Sequence, residues 1–307
     1  MPVLLPVAAV SAAAAAATAV LTSRYRRDLA AARSRLDLVD RTTIPTDWGT
    51  LEYAERGVGG PVLVSHGIFH GCDGGLLSTR DEISGRRVVA PSRFGYLGSA
   101  MPPDASAAAQ ADAFAALLDH LGIERADVMG ISAGTGAALQ TALRHPDRVG
   151  HLVISSGNWP GSPTAGAPPD WAKAFYSDRA MWTMRTLVPP MMGRLMGVPK
   201  GFPRDDEDAR RMEEMLDSIF PLEPRREGAI FDAFVSNPEV GTYPLEDIRV
   251  PTLVVHAADD PLASHDAAVD ASERIPGAAL VSLPSGGHLG LGQTERVGNE
   301  IAAFLDA

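Results

Sequence analysis

The chain has 307 residues, 45% of them hydrophobic and 21% charged, with one cysteine and a formal net charge of −11. That apolar fraction can offset chain entropy, which excludes a mainly disordered chain, and one cysteine excludes a disulfide framework or a thiolate-held metal cluster. The balance of 38 acidic against 27 basic residues argues against a nucleic-acid partner, whose phosphates reward a basic face.

Met1 to Ser23 carries no charge, and Arg24, Arg26 and Arg27 then arrive together. About 20 apolar residues can span a bilayer as a helix, but alanine, Pro2 and Pro6 make the insertion energy of this stretch marginal. It reads as a frayed Ala-rich helix or residues upstream of the true start, as a membrane anchor, or as a cleaved signal. Arginines that follow the span would keep the rest of an anchored chain on the cytoplasmic side. The expected location is therefore cytoplasmic, with residues 1–23 the candidate for any membrane association. Arg24 to Val39 reads as an amphipathic helical linker, so residues 1–43 stand apart from a folded domain beginning at Ile44.

Trp48–Glu55 has the mixed character of an edge strand, and Val62–Val64 is a buried strand that opens into Ser65-His66-Gly67. Arg87–Ala90 repeats the pattern and ends at Pro91. Asp104 or Ser106 can cap the next helix, in which Ala111, Phe114, Leu117, Leu118 and Leu121 recur at helical spacing until Gly122. Next come a strand at Ala126–Ile131, a helix from Ser132 to His145 and a strand at Gly150–Ser155. The later elements are a strand at Thr252–His256, a helix across Ala267–Arg274, a strand at Ala279–Leu283 and a helix at Gln293–Leu305. This alternation predicts an α/β fold with a mostly parallel central sheet covered by helices on both faces. Between Gly157 and Tyr243 the rhythm breaks. Three of the four tryptophans (Trp159, Trp171 and Trp182) and seven methionines between Met181 and Met215 fall there. Residues 157–243 are expected to form a helical cap inserted into a core made of 44–156 and 244–307.

One motif points to chemistry. Gly130-Ile131-Ser132-Ala133-Gly134 matches G-x-S-x-G between a strand and a helix, the setting of a nucleophile elbow. Serine is a weak nucleophile unless a base and an orienting acid accompany it. His288 lies in a Gly-rich loop, Pro284-Ser285-Gly286-Gly287-His288, where no apolar pattern explains it as core. Asp259 and Asp260 follow the preceding strand and supply the acid. The order Ser132, Asp, His288 puts each group after a different strand, at the rim where open α/β sheets build their sites.

On these residues, from about Trp48 to the C-terminus, the chain resembles the α/β-hydrolase superfamily, specifically its cap-bearing, esterase-like serine hydrolases. The matching pieces are Ser65-His66-Gly67-Ile68, Ser92-Arg93-Phe94-Gly95-Tyr96-Leu97-Gly98-Ser99, the elbow, Ala258-Asp259-Asp260-Pro261 and Gly287-His288. The resemblance selects Asp260 as the acid, three residues beyond a glycine position that Ala257 occupies here, with Asp259 as the alternative. It implies an oxyanion hole from the backbone N–H groups of Ala133 and Ile68, with Phe69 as the alternative to Ile68, and it implies no cofactor. His66 is then a loop-stabilising residue rather than a second base.

The Met and Trp content of the cap suggests a small-molecule substrate with an apolar portion, contacted by Phe69, Trp159 and Trp182. His70 and Cys72 are placed near the pocket by their closeness to the oxyanion loop. No histidine pair has zinc-ligand spacing with a supporting carboxylate, so no metal is expected. Esters are the default substrate. Lactones, carbon–carbon bonds, amides and cofactor-free haloperoxidation use the same side chains, and a weakly catalytic ligand-binding protein is the reading from outside enzymology.

Overall fold

The computed structural model describes residues 4–159 and 167–307 of the chain. Eight strands form one sheet: β1 (Thr42–Thr46), β2 (Gly49–Arg56), β3 (Pro61–Ser65), β4 (Arg87–Pro91), β5 (Ala126–Ile131), β6 (Val149–Ser155), β7 (Thr252–Ala257) and β8 (Ala279–Leu283). Their spatial order is β1-β2-β4-β3-β5-β6-β7-β8. The β1/β2 and β2/β4 pairs are antiparallel and all the others parallel.

Side chains alternate across the sheet with period two. Leu63, Val128, Leu152, Ile154 and Val254 bury one face, while Val62, Val64, Met129, Val153 and Val255 bury the other. The first face is covered by α3 (Ala107–His120), α4 (Thr135–Arg144) and α11 (His265–Arg274), the second mainly by α2 (Cys72–Ser78) and α12 (Thr294–Leu305). Ser106 rather than Asp104 caps α3, accepting from the Ala109 N–H at 3.1 Å, and Gly122, with φ +65°, follows its end.

The structure departs from the sequence reading in two places. Trp48–Glu55 is not at the edge: Thr42–Thr46 pairs outside it as β1. Pro45 weakens the strand signal there, yet an edge strand tolerates a residue that cannot donate to the ladder. The expected linker is part of one helix, α1 (Leu4–Asp37), and it does not stand apart from the fold. Tyr25, Leu29 and Ala32 of α1 pack on Trp182 and Phe220. Among the described residues no helix is long and apolar enough to cross a membrane.

Between β6 and β7 the described chain is helical: α5 (Trp171–Phe175), α6 (Asp178–Leu187), α7 (Pro189–Leu195), α8 (Asp206–Ser218), α9 (Arg226–Phe231), a wider turn over Asp232–Ser236 and α10 (Asn237–Glu239). Residues 160–166 of the expected cap lie outside the described residues. All the methionines of this insertion except the exposed Met191 join Phe69, Tyr96 and Leu222 in an apolar cluster. Ile68 and Phe69 after β3, Tyr96 after β4 and Leu289 after β8 tie that cluster to the sheet.

Candidate active site

Ser132 follows β5 directly, with φ +50°. A side chain in that region is strained by about 1–3 kcal/mol, which persists because close packing leaves the turn no alternative. A Cβ on Gly134 would lie 2.0 Å from the Ser65 carbonyl oxygen, and one on Gly130 would lie 2.7 Å from Ala138 Cβ. The turn passes within van der Waals reach of the loop after β3, since a Cβ on Gly67 would lie 3.5 Å from Ser132 Cβ.

Three side chains meet at this rim. His288 Nε2 lies 2.8 Å from Ser132 Oγ, and His288 Nδ1 lies 2.7 Å from Asp260 Oδ2. An ionised carboxylate only accepts, so Nδ1 carries the proton and Nε2 is left to accept from the serine hydroxyl. The imidazole is 11% exposed and the Asp260 carboxylate is fully covered.

Burial pushes the Asp260 carboxyl up, but other contacts outweigh it. Hydrogen bonding to His256 and His288, the charge His288 can carry and the Leu262 N–H together hold it well below the usual carboxylate range. The Leu262 and Ala263 N–H groups donate to its Oδ1 at 2.8 and 3.1 Å. His256 Nε2 sits 3.4 Å from Oδ2. A carboxylate so depressed contributes stability above the unfolded value and loses it as pH falls through the folded one.

The neighbouring Asp259 has a different partner. Its Oδ1 accepts from the Gly287 N–H at 2.8 Å, and the His288 N–H donates to the Gly197 carbonyl of the insertion at 3.0 Å. Asp259 and Gly197 therefore hold the histidine loop, whereas Asp260 touches the imidazole. Gly197 was not legible in the sequence because its contribution is a backbone oxygen.

The loop after β3 is fixed by His66, which is fully buried. Its Nδ1–H donates to the Gly67 carbonyl at 2.8 Å, while Nε2 accepts from the Arg93 N–H at 3.0 Å. Burial, aided by the Arg93 charge, pushes its pKa well below the ordinary value, so the ring is neutral. Ile68 and Phe69 follow. Phe69 adopts φ +67° and stacks its ring at 5.7 Å from Tyr176. Ala133 is buried in the first turn after Ser132.

The two tryptophans expected to contact substrate lie elsewhere. Trp182 donates its indole N–H to Asp28 at 2.9 Å and packs on Phe220. It lines a cavity of about 820 Å³ between α1 and α6–α8 that includes none of Ser132, Asp260 or His288. Trp159 is 3% exposed in the core, its ring folded against Gly157 and Ile154. Aromatic residues in a helical insertion serve ordinary packing as readily as a cleft, and in both cases packing prevails. Cys72 is also core: it packs with Ala54 and Ala90, its N–H donates to Ser92, and burial with the nearby Glu52 charge raises its thiol to about 12. His70 is buried, and desolvation lowers its pKa to about 4. Among the described residues no group of three His, Cys, Asp or Glu side chains could hold a metal ion.

Two neutral histidines buried at this loop have a consequence for acid stability. The unfolded chain binds their protons below about pH 6.5 while the folded chain refuses them, so stability falls as pH drops from that value. For His70 the loss between pH 6.5 and 4 is on the order of 3 kcal/mol. Thermal melting across this window is expected to show a falling Tm, and His70→Gln a shallower slope; an unchanged slope contradicts the assignment.

Sequence and structure comparisons identify the fold family. The family model described as "alpha/beta hydrolase fold" matches residues 60–293. An uncharacterized hydrolase of Bacillus subtilis (strain 168), YcgS, is 28% identical, with 86% of this chain and 98% of that protein aligned. A 2-hydroxymuconate semialdehyde hydrolase of Pseudomonas putida is 29% identical over 76% of this chain and 82% of its own length. Among solved structures, an alpha/beta hydrolase fold protein from Nakamurella multipartita superposes with a TM-score of 0.71 at 25% identity, covering 87% of this chain and 99% of its own. With a mostly parallel sheet and a family match over residues 60–293, the chain belongs to the alpha/beta hydrolase fold family.

Proposed function

We propose that the protein hydrolyses carboxylic esters with an apolar acyl or alcohol portion by a two-step acyl transfer to water. The observation that carries this reading is the continuous relay from Ser132 Oγ through His288 to Asp260, at 2.8 and 2.7 Å. His288 Nε2 takes the hydroxyl proton as Ser132 attacks the carbonyl carbon, and Asp260 holds the imidazole in its useful tautomer and stabilises its cation. Negative charge then develops on the carbonyl oxygen. The N–H groups of Ala133, at the first turn of its helix, and of Ile68 are the proposed donors to it. Ile68 N–H has no hydrogen-bond partner among the described residues, which leaves it free for this role. His288 protonates the leaving alcohol, then activates water to release the acid.

Two features favour a neutral, apolar substrate. The helical insertion brings Tyr176, Met192, Met196 and Met215 into one cluster with Phe69, against which Ile68, the proposed oxyanion donor, and Leu289, next to His288, also pack. The buried cations of the region, Arg93 and Arg225, are each paired through both terminal nitrogens, with Asp232 and Asp73 respectively. A substrate carboxylate would find neither of them unpaired.

The 2-hydroxymuconate semialdehyde hydrolase among the relatives gives carbon–carbon bond cleavage a place as the second reading. A panel of p-nitrophenyl esters of increasing chain length, lactones, anilides and vinylogous 1,5-diketones tests both. Steady turnover of medium-chain esters is expected, and turnover confined to the diketones would replace the ester reading by the second.

A further inference from the structure

Ile68 can serve an oxyanion only if its N–H is aimed at the carbonyl oxygen on Ser132, and the structure shows what aims it. A trans peptide is planar, with its C=O and N–H pointing in opposite directions, so whatever holds the Gly67 oxygen also sets the Ile68 N–H. That oxygen accepts from His66 Nδ1–H at 2.8 Å, and the same ring is pinned on its other side by the Arg93 N–H at 3.0 Å. The Arg93 guanidinium reinforces this hold, since its Nε–H donates to the His66 carbonyl at 3.0 Å.

Arg93 has two terminal nitrogens left, and both go to one residue of the insertion. They donate to the two oxygens of Asp232 at 2.6 Å each. The Tyr96 hydroxyl donates to Asp232 Oδ2 as well, and its ring packs edge-on against His66 at 4.7 Å. Asp232 is fully buried and the Arg93 side chain is 4% exposed. Away from water such a pair is strong in geometry, and removal of one partner leaves a buried charge unmatched.

We propose that Asp232 is a positioning residue that couples the seating of the helical insertion to the aim of the oxyanion-binding N–H of Ile68. When the wide turn Asp232–Ser236 is docked, the carboxylate locks Arg93, Arg93 locks both the backbone and the ring of His66, and His66 sets the Gly67–Ile68 peptide plane. When the insertion lifts, Arg93 loses its counter-ion and the loop loses its hold. Substrate hydrolysis is thereby tied to a closed insertion. The inference rests on the serine-hydrolase reading above.

The test uses the full chain with p-nitrophenyl butyrate as substrate and an alkyl trifluoromethyl ketone as a tetrahedral oxyanion mimic. Asp232→Asn is expected to lower kcat by about 10- to 100-fold, the range for a misaimed rather than deleted donor, while KM stays within about 3-fold. The Ki of the ketone should rise by the same factor as kcat falls. Tyr96→Phe, which removes one hydrogen bond from Asp232 and keeps its charge, should move both quantities in the same direction by less. Asp232→Glu, which restores the charge, should recover part of the loss. A purely structural role lowers Tm and leaves kcat and Ki per folded molecule unchanged; that result overturns the proposal. Should Asp232→Asn fail to fold, Tyr96→Phe decides by the same criterion. Ser132→Ala separates the two levels: if it retains turnover, or if the wild type has none, the serine-hydrolase reading itself fails and this inference falls with it.

Discussion

Ser132→Ala is expected to lower ester turnover by roughly 10⁴-fold or more, with KM little changed and the melting temperature close to that of the wild type. The size of the effect follows from what remains. Without the hydroxyl no acyl-enzyme forms, and only the preorganised N–H donors and substrate binding still favour attack by water. Stability should be spared because the side chain is only half-buried and its hydroxyl contact is with His288. Backbone strain adds a second handle. At φ +50° glycine removes the penalty that any Cβ incurs, so Ser132→Gly should abolish turnover and yet raise stability, by on the order of 1 kcal/mol. Loss of activity accompanied by a gain in stability marks a residue held in place for chemistry. A variant that loses both is instead a packing residue.

Replacing Asp260 with asparagine should cost nearly as much, about 10⁴-fold in kcat, because the amide can favour the wrong tautomer of His288 and cannot stabilise its cation. Asp259→Asn should cost less than about 10-fold, since an amide oxygen still accepts from Gly287 N–H. Comparing the two variants by kcat at saturating ester tests the roles that geometry assigns to adjacent, chemically identical side chains. Acid behaviour gives a second test of Asp260. Asp260 is the carboxylate held far below its ordinary range, so its contribution to stability is present at neutral pH and fades only in strong acid. Asp260→Asn should therefore flatten the acid limb of the stability profile.

Much of this site could be read from the chain because it depends on local signals. The elbow is a contiguous pentapeptide in which a Cβ added at Gly134 or Gly130 would come within 2.0 or 2.7 Å of a neighbouring atom, and the acid and base each follow a short apolar strand. Between Asp259 and Asp260 the family resemblance, not a local signal, points to Asp260, and His288 Nδ1 lies 2.7 Å from its Oδ2. What the sequence concealed is tertiary. Asp232 sits in a helical stretch with no periodic signal, and its link to Arg93 spans 139 residues. Trp182 has the composition of a cleft residue, but α1 packs over it, a contact that the low-complexity alanine run gives no reason to expect. Strand β1 was hidden by Pro45 and by exposed threonines, since an edge strand has little apolar pattern to display.

The most direct measurement is covalent trapping. Incubation with an alkyl fluorophosphonate, followed by peptide mass spectrometry, should place one phosphonyl group on Ser132 and nowhere else, and His288→Ala should slow the labelling strongly. Labelling of a different residue, or none while esters are still hydrolysed, would contradict the account.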